Sequence, residues 1–272
     1  MGTLYLVATP IGNLEDMSPR AVRVLREAQL IAAEDTRQSK KLLNHFDIHT
    51  PLTSYFEHNK LGKLGAVLDK LNEGNVALIS DAGTPALNDP GYELVSAAVN
   101  AGHRVSPIPG PASPIAALTV SGLPTDTFLY LGYLPRKSVE RKKVLLNVVN
   151  LPYTLVFLET PHRLLDALKD LEEILDDRQI ALARELTKLH EEIWRGTSSE
   201  AREHFKAPRG EFVLVVSGRT KEVKAKWTEE KLLAAIRREI KAGESPSALA
   251  AKLAVESGWA RRDIYKLTTR QD

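Results

Sequence analysis

The chain has 272 residues, 43% of them hydrophobic and 26% charged, enough apolar material for two modest cores. Zero cysteines exclude disulfides and thiolate metal sites, and the seven histidines are scattered along the chain, so no metal is expected. The net charge is +2, but residues 221 to 272 hold twelve Lys plus Arg against eight Asp plus Glu, leaving that segment at +4 and the remainder at −2. A basic terminal segment suits contact with a polyanion, and a solvated helix face gives the same count.

The opening segment MGTLYLVATP has no basic stretch ahead of an apolar one and reads as a strand, Leu4 to Ala8. Strand-like runs at Leu4 to Ala8, Leu30 to Ala33 and Val76 to Ile79 alternate with helical patterns near Pro19 to Ala28 and Gly62 to Asn72. That alternation argues for a parallel α/β sheet. Ser18 followed by Pro19 is a helix start signal, and Tyr92 to Ala101 ends at Gly102 before a short strand, His103 to Ser106. The proline-rich stretch 107–124 places a junction at its end, so residues 1–122 form a first α/β domain. Beyond it, strands at Phe128 to Gly132, Thr154 to Leu158, Ile180 to Ala183 and Phe212 to Ser217 are separated by helices at Ser138 to Asn147 and His162 to Leu175. These make a second α/β domain over 123–220, and a charged linker, Arg219 to Lys226, leads to a small helical tail over 226–272. No apolar stretch approaches the ~20 residues needed to cross a bilayer, so no membrane span is expected and the cytosol is the default compartment.

The chemistry concentrates at strand ends. SDAGTPALNDPG, residues 80–91, follows the buried run Val76 to Ile79 with two carboxylates, two glycines and two prolines. In an open parallel sheet ligands sit beyond the carboxyl ends of the strands, and Gly83 and Gly91 let the backbone approach them. There is no GxGxxG and no GxxxxGK[ST], so neither the dinucleotide fingerprint nor a nucleotide-triphosphate loop is present.

Six segments occur in order: TPIGNLED (9–16), AEDTR (33–37), SDAGTPALNDPG (80–91), PGPAS (109–113), GYLPRK (132–137) and ARELTKLHEE (183–192). Together they resemble the ribosomal RNA small subunit methyltransferase I family of the tetrapyrrole methylase superfamily, from about Thr3 to Ser217. The resemblance implies a two-domain tetrapyrrole methylase-like fold, with a parallel-sheet first domain, a mixed-sheet second domain and a helical carboxyl-terminal tail. It also implies an S-adenosyl-L-methionine-dependent enzyme that methylates the ribose 2′-hydroxyl of a decoding-region cytidine in 16S rRNA of the small ribosomal subunit, usually as a homodimer. Methyl transfer is an in-line displacement governed by positioning, with at most one modest base and no metal.

By that resemblance Pro10, Ile11, Gly12, Asp81, Gly83, Thr84 and Ser113 line the cofactor pocket, joined by Glu159 after the strand TLVFL. Each also has a structural explanation: the glycines in turns, Asp81 in a cap or turn, Ser113 capping a helix that begins at Pro114. For the reaction the resemblance points to Asp35, Arg37, Lys188 and Glu191, with Arg37 and Lys188 on phosphate or ribose and Glu191 or Asp35 as proton acceptor. On the residues alone, surface ion pairs of Asp35 with Arg37 and of Lys188 with Glu191 are the preferred reading. Glu34, His58, Asn59 and His190 are further polar candidates. Arg136 and Lys137, followed by Arg141, Lys142 and Lys143, form a phosphate-tracking surface or an ordinary basic helix face. In the tail, an apolar pattern through Leu249, Leu253 and Ala254 breaks at Gly258 before a second helix with Ile264, Tyr265 and Leu267. This is helix-turn-helix-like, with Arg261, Arg262 and Lys266 placed for RNA or packed in a dimer arm. Ala112–Ser113 reverses the order the family pattern has after PGP, and Tyr133 stands where a Phe is usual. A tetrapyrrole C-methyltransferase and a non-catalytic RNA-binding assembly factor are the competing functions.

Overall fold

The structure is a computed structural model that describes residues 2–57, 60–219, 227–241 and 244–269. His58, Asn59 and most of the predicted linker lie outside the described residues. Residues Met1–Gly218 form one compact unit and Arg219–Asp272 a second.

The first unit begins with β1 (Thr3–Val7), α1 (Pro19–Glu27), β2 (Leu30–Ala33), α2 (Thr36–His45), β3 (Leu52–Ser54), α3 (Lys60–Glu73), β4 (Val76–Ile79), α4 (Tyr92–Asn100), β5 (Arg104–Ile108) and α5 (Ser113–Val120). Its five strands pair in the order β3-β2-β4-β1-β5, all parallel. Alternation along the strands divides their apolar side chains between two helical layers. Val7, Ile31, Ala33, Ala77 and Ile79 pack with Ala21, Val24 and Leu25 of α1 and Leu43 of α2. Leu4, Ala32, Val76 and Leu78 pack on the other face with Val67 and Leu71 of α3 and Leu94 and Ala98 of α4. The start signal for α1 is realised as read: Ser18 accepts a hydrogen bond from the Ala21 amide, with Pro19 at the first helical position.

The unit continues with β6 (Phe128–Tyr133), α6 (Ser138–Val148), β7 (Thr154–Glu159), α7 (Pro161–Leu175), β8 (Gln179–Arg184), β9 (Glu192–Thr197), α8 (Ser198–His204) and β10 (Phe212–Val216). These strands form a mixed sheet in the order β6-β7-β10-β8-β9, with β6 and β7 parallel and the rest antiparallel. Leu155, Phe157, Leu182, Phe212 and Leu214 pack against Leu145 of α6, Leu164, Leu168 and Leu171 of α7 and Ala201 of α8. The opposite face, with Val156, Ala181, Ala183, Val213 and Val215, is covered by Ala117 and Leu118 of α5. Thus α5, which precedes the junction read at residue 122, lays its apolar side on the second sheet.

Two strands, β3 and β9, and the helices α2, α8 and α9 are absent from the sequence reading. Both strands lie at sheet edges and are rich in polar residues, so neither carries the buried apolar run that betrays a central strand. The second unit contains α9 (Glu229–Lys241), α10 (Pro246–Ser257) and α11 (Arg261–Thr269) around Leu232, Ile236, Leu249, Leu253 and Ile264. Gly258, at φ 69°, ends α10 in the left-handed conformation, where the sequence placed the break.

Candidate active site

The carboxyl ends of β1, β4 and β5 are stitched together by their loops. Thr9 and Gly83 exchange backbone hydrogen bonds of 2.9 and 3.0 Å, and the Thr84 hydroxyl donates to the Pro111 carbonyl at 3.0 Å. Gly83 sits at φ +82°, and a Cβ there would stand 3.3 Å from Ile11 Cγ2. A side chain at this position would be strained in backbone and tight in space, so glycine is required by the turn itself. On the facing side, a register shift between Tyr130 and Gly132 marks a bulge in β6. Gly132, at φ +64°, leaves room for Asn88, whose Nδ2 would lie 2.4 Å from a Cβ. A bulge beside a cleft re-aims neighbouring side chains, and both Tyr130 and Tyr133 face the opening.

Between these loops and the second sheet lies a cleft of about 250 Å³. Ile11, Asp81, Gly83, Thr84, Ser113 and Glu159, all named from the sequence, line it. Pro10 and Gly12 do not. Gly12 instead backs onto the 185–188 turn, where a Cβ would stand 2.4 Å from Lys188 Cγ and 2.8 Å from Thr187 Oγ1. Ser113 is the first residue of α5, not its cap, which is Ala112. Glu34 and Tyr133, both named from the sequence, line the cleft as well, and so do Asp89, Tyr130 and Glu211, which were not singled out. Glu34 and Asp89 stood inside quoted motifs. For Tyr130 the local signal was the glycine of GYLPRK, where the bulge forms.

The cleft is electrostatically frustrated. Burial raises the Asp89 carboxyl, and the nearby Asp81 charge raises it further. Burial likewise raises Glu34, with Asp89, Asp81 and Asp35 adding repulsion. Asp81 is raised by burial and by Asp35, although its Oδ1 accepts the Asp35 amide at 3.0 Å. Burial pushes the Tyr130 phenol up to about 12, helped by Tyr133 and Asp89, and its hydroxyl is buried without a hydrogen-bond partner among the described residues. Glu159 is buried and raised by desolvation despite bonds from the Thr160 amide at 2.8 Å and Arg163 at 3.0 Å. Such a site favours a ligand that brings positive charge and a hydrogen-bond acceptor.

The remaining sequence candidates sit around this cleft. Asp35 caps α2 by accepting the Arg37 amide at 2.8 Å and pairs with the Arg37 guanidinium at 3.0 Å, which holds its carboxyl below the usual range. Lys188 bridges Glu185 and the cleft residue Glu211, each at 2.9 Å, and not Glu191. Glu191 instead accepts the Thr187 amide at 2.6 Å. Glu185 and Thr187 both have positive φ, 49° and 66°, so this turn is held in a conformation that non-glycine residues seldom adopt. Arg136 and Lys137 are exposed, Lys137 lying 3.7 Å from Glu140. Arg141 corrects the expectation of a basic surface along α6: it is buried and bonded to Asp170. Lys142 is bound to Glu173 at 2.6 Å. In the second unit Arg261, Arg262 and Lys266 are exposed along α11, and Arg261 reaches the Ser247 hydroxyl at 3.2 Å.

With this geometry in hand, the comparisons with known proteins agree. The sequence signature described as Tetrapyrrole (Corrin/Porphyrin) Methylases matches residues 3–202. A protein named Ribosomal RNA small subunit methyltransferase I from Synechocystis sp. (strain ATCC 27184 / PCC 6803 / Kazusa) is 48% identical over 272 residues, covering 98% of each chain. The chain belongs to the ribosomal RNA small subunit methyltransferase I family. A second member, from Bacillus subtilis (strain 168), is 43% identical over 274 residues, 97% of this chain and 93% of its own. Among solved structures, the methyltransferase CobJ superposes with a TM-score of 0.61 at 19% identity, covering 80% of this chain and 95% of that one. Uroporphyrin-III C-methyl transferase from Thermus thermophilus, complexed with S-adenyl homocysteine, gives 0.56 at 20% identity, covering 80% and 97%. These two establish the shared fold, that of the tetrapyrrole methylases, as the family membership requires.

Proposed function

We propose that the chain is an S-adenosylmethionine-dependent methyltransferase that transfers a methyl group to the ribose 2′-hydroxyl of a decoding-region cytidine in 16S rRNA. The observation that carries this reading is the 48% identity over 98% of the chain with a ribosomal RNA small subunit methyltransferase. The cleft suits the cofactor in chemistry. S-adenosylmethionine supplies a sulfonium-activated methyl group and a cationic head, and Glu34, Asp81 and Asp89 are carboxylates with no cationic partner among the described residues. Gly83 and Thr84 bring backbone close to the ligand, while Ile11 and Leu158 supply apolar wall. Asp81, Ser113 and Glu159 are the polar contacts we assign to it.

The proton of the 2′-hydroxyl falls most naturally to Asp89. Its raised carboxyl is a better acceptor than Asp35, which the Arg37 ion pair holds low. Arg37, Lys188 and Glu191 are assigned to the substrate side, Arg37 with its side chain 88% exposed. Exposed Arg136, Lys137, Arg261, Arg262 and Lys266 are read as RNA contacts. The resemblance further supports a homodimer in the cytosol. A polycarboxylated tetrapyrrole fits less well, since it would meet Glu34, Asp81, Asp89, Glu159 and Glu211 in the cleft.

The test is transfer of labelled methyl from S-adenosylmethionine to small subunits lacking the modification, with the modified ribose mapped by nuclease resistance. Label on a decoding-region ribose is the expected result. Tight cofactor binding with no transfer to RNA would instead favour a tetrapyrrole precursor. Cofactor binding should also depend on pH with a definite sign. Raised carboxyls hold protons above the ordinary carboxylate range in the empty cleft, and a cationic ligand lowers their pKa values, so binding expels protons. Affinity should rise with pH from the ordinary carboxylate range upward and level off once the cluster is ionised. Calorimetry in buffers of different ionisation enthalpy reads the protons released, and E34Q and D89N should each flatten the rise.

A further inference from the structure

The sequence placed its basic excess in the last 52 residues, but a denser one lies in the first sheet's helical layer. Helices α1 and α2 span nineteen residues and carry Arg20, Arg23, Arg26, Arg37, Lys40 and Lys41 against a single acid, Glu27. Residues 1–220 sum to −2 with this net +5 included and to −7 without it. The excess is therefore local.

Packing fixes where those charges point. Ala21, Val24 and Leu25 of α1 and Ser39 and Leu43 of α2 are buried, and all six cations are on the exposed faces. The two helices adjoin on one face of the sheet, and Arg26 donates to the Phe46 carbonyl at 2.6 Å, capping the end of α2. Arg23 is neutralised by Glu27 and Arg37 by Asp35, but Arg20 and Lys40 have no partner among the described residues, and Lys41 contacts neutral Gln38 at 2.9 Å. An ordinary solvated surface intersperses both signs. This one does not.

The layer is also joined to the cleft. Residue 34 lines it, and the amide of the α2 cap, Asp35, is bonded to Asp81. Acidic cleft and basic helices thus meet at the amino end of α2. Phosphates are excluded from the first and attracted by the second, while a neutral ribose is acceptable to the cleft.

We propose that the exposed face of α1 and α2 is the surface on which the RNA backbone lies, presenting a ribose to the cleft at the amino end of α2. This rests on the RNA methyltransferase reading. Lys40 and Lys41, with Arg20 on the neighbouring helix, each neutralise phosphate.

The test measures binding of a small-subunit rRNA fragment as a function of salt for the full chain, the K40E/K41E pair and R20E. A second pair, K169E/K206E, makes the same change in net charge on α7 and beyond α8. S-adenosylmethionine affinity is measured on all of them. K40E/K41E should weaken RNA binding on the order of tenfold or more and lower the slope of log affinity against log salt by roughly 1.4 to 1.8, two contacts at 0.7 to 0.9 each. R20E should lower the slope by about half as much, and cofactor affinity should stay the same. An unchanged slope in both variants, with methyl transfer to RNA intact in the parent, would overturn this surface and leave the activity standing. Equal weakening by K169E/K206E would also overturn it, because the effect would then follow net charge alone. A parent that neither binds nor methylates RNA would remove the activity reading, and this surface with it.

Discussion

Replacing Arg141 by Ala should destabilise the protein by about 3–5 kcal/mol, the cost of leaving one partner of a buried ion pair uncompensated. Its side chain is 4% exposed and that of Asp170 is 5% exposed, with Nη2 lying 2.6 Å from Asp170 Oδ2. The remaining guanidinium hydrogens are also used. Nε donates to the same carboxylate at 2.7 Å, and the terminal nitrogens reach the carbonyls of Pro135 and Arg136, at 3.3 Å each, and of Asp166, at 3.4 Å. One side chain therefore fastens the turn after β6 to both α6 and α7, with Ser138 completing the shell of Asp170 at 2.9 and 3.0 Å. R141A leaves that carboxylate buried with Ser138 and, at 3.7 Å, Lys142. R141K should recover little, since a point charge cannot reproduce the fork. Urea denaturation checks this: the midpoint should fall sharply for R141A and less far for R141A/D170A than for R141A alone, because the double variant leaves no orphan charge. Equal losses in the single and double variants would mean that the packing of the guanidinium stem, not the charge, is what matters.

Arg141 shows where sequence reading stops. RKSVERKK presents five cations, and nothing in the string distinguishes the one that turns inward. That depends on Asp170, 29 positions later, reaching the same point from α7. Patterns carried by neighbours along the chain were legible: the parallel strands from their buried runs, Ser18–Pro19 as a helix start, Gly258 as a helix end, and the cluster of ligand loops at the ends of β1 and β4. Patterns made by folding were not. Helix α2 has only Leu42 and Leu43 as large apolar residues, so AEDTRQSKK read as a charged cluster and not as the start of a helix. Glu34 and Asp89 are ordinary acids in sequence. They become unusual only when β2 and β4 set them around one cleft with Asp81 between them. The pairing of Lys188 with Glu211 likewise needs the loop before β10 to arrive beside the 185–188 turn.

Asp81 is where both kinds of information meet, and its removal should give the largest change in ligand binding. D81A should weaken S-adenosylmethionine binding by about 1.5–3 kcal/mol, roughly ten- to a hundredfold, the range for a hydrogen bond to a charged group. The carboxylate is built to be available. It accepts one amide, from Asp35, yet burial and the Asp35 charge still raise its pKa, so the empty protein gains little from keeping it ionised. Folding stability should therefore change far less than affinity, which separates a ligand contact from a structural cap. D81N keeps the shape and removes the charge. If the carboxylate reads the cationic end of the cofactor, D81N should resemble D81A. If it serves only to hold the Asp35 amide, D81N, whose amide oxygen can still accept that bond, should bind like the parent. Arg37→Ala provides the contrast, since that side chain projects to solvent from α2 and should leave cofactor affinity unchanged while reducing methyl transfer to RNA. Calorimetric titration of the three variants, read beside their thermal midpoints, decides among these outcomes; an unaltered D81A affinity would place the cofactor's charged end elsewhere in the cleft, with Glu34 and Asp89 the next groups to neutralise.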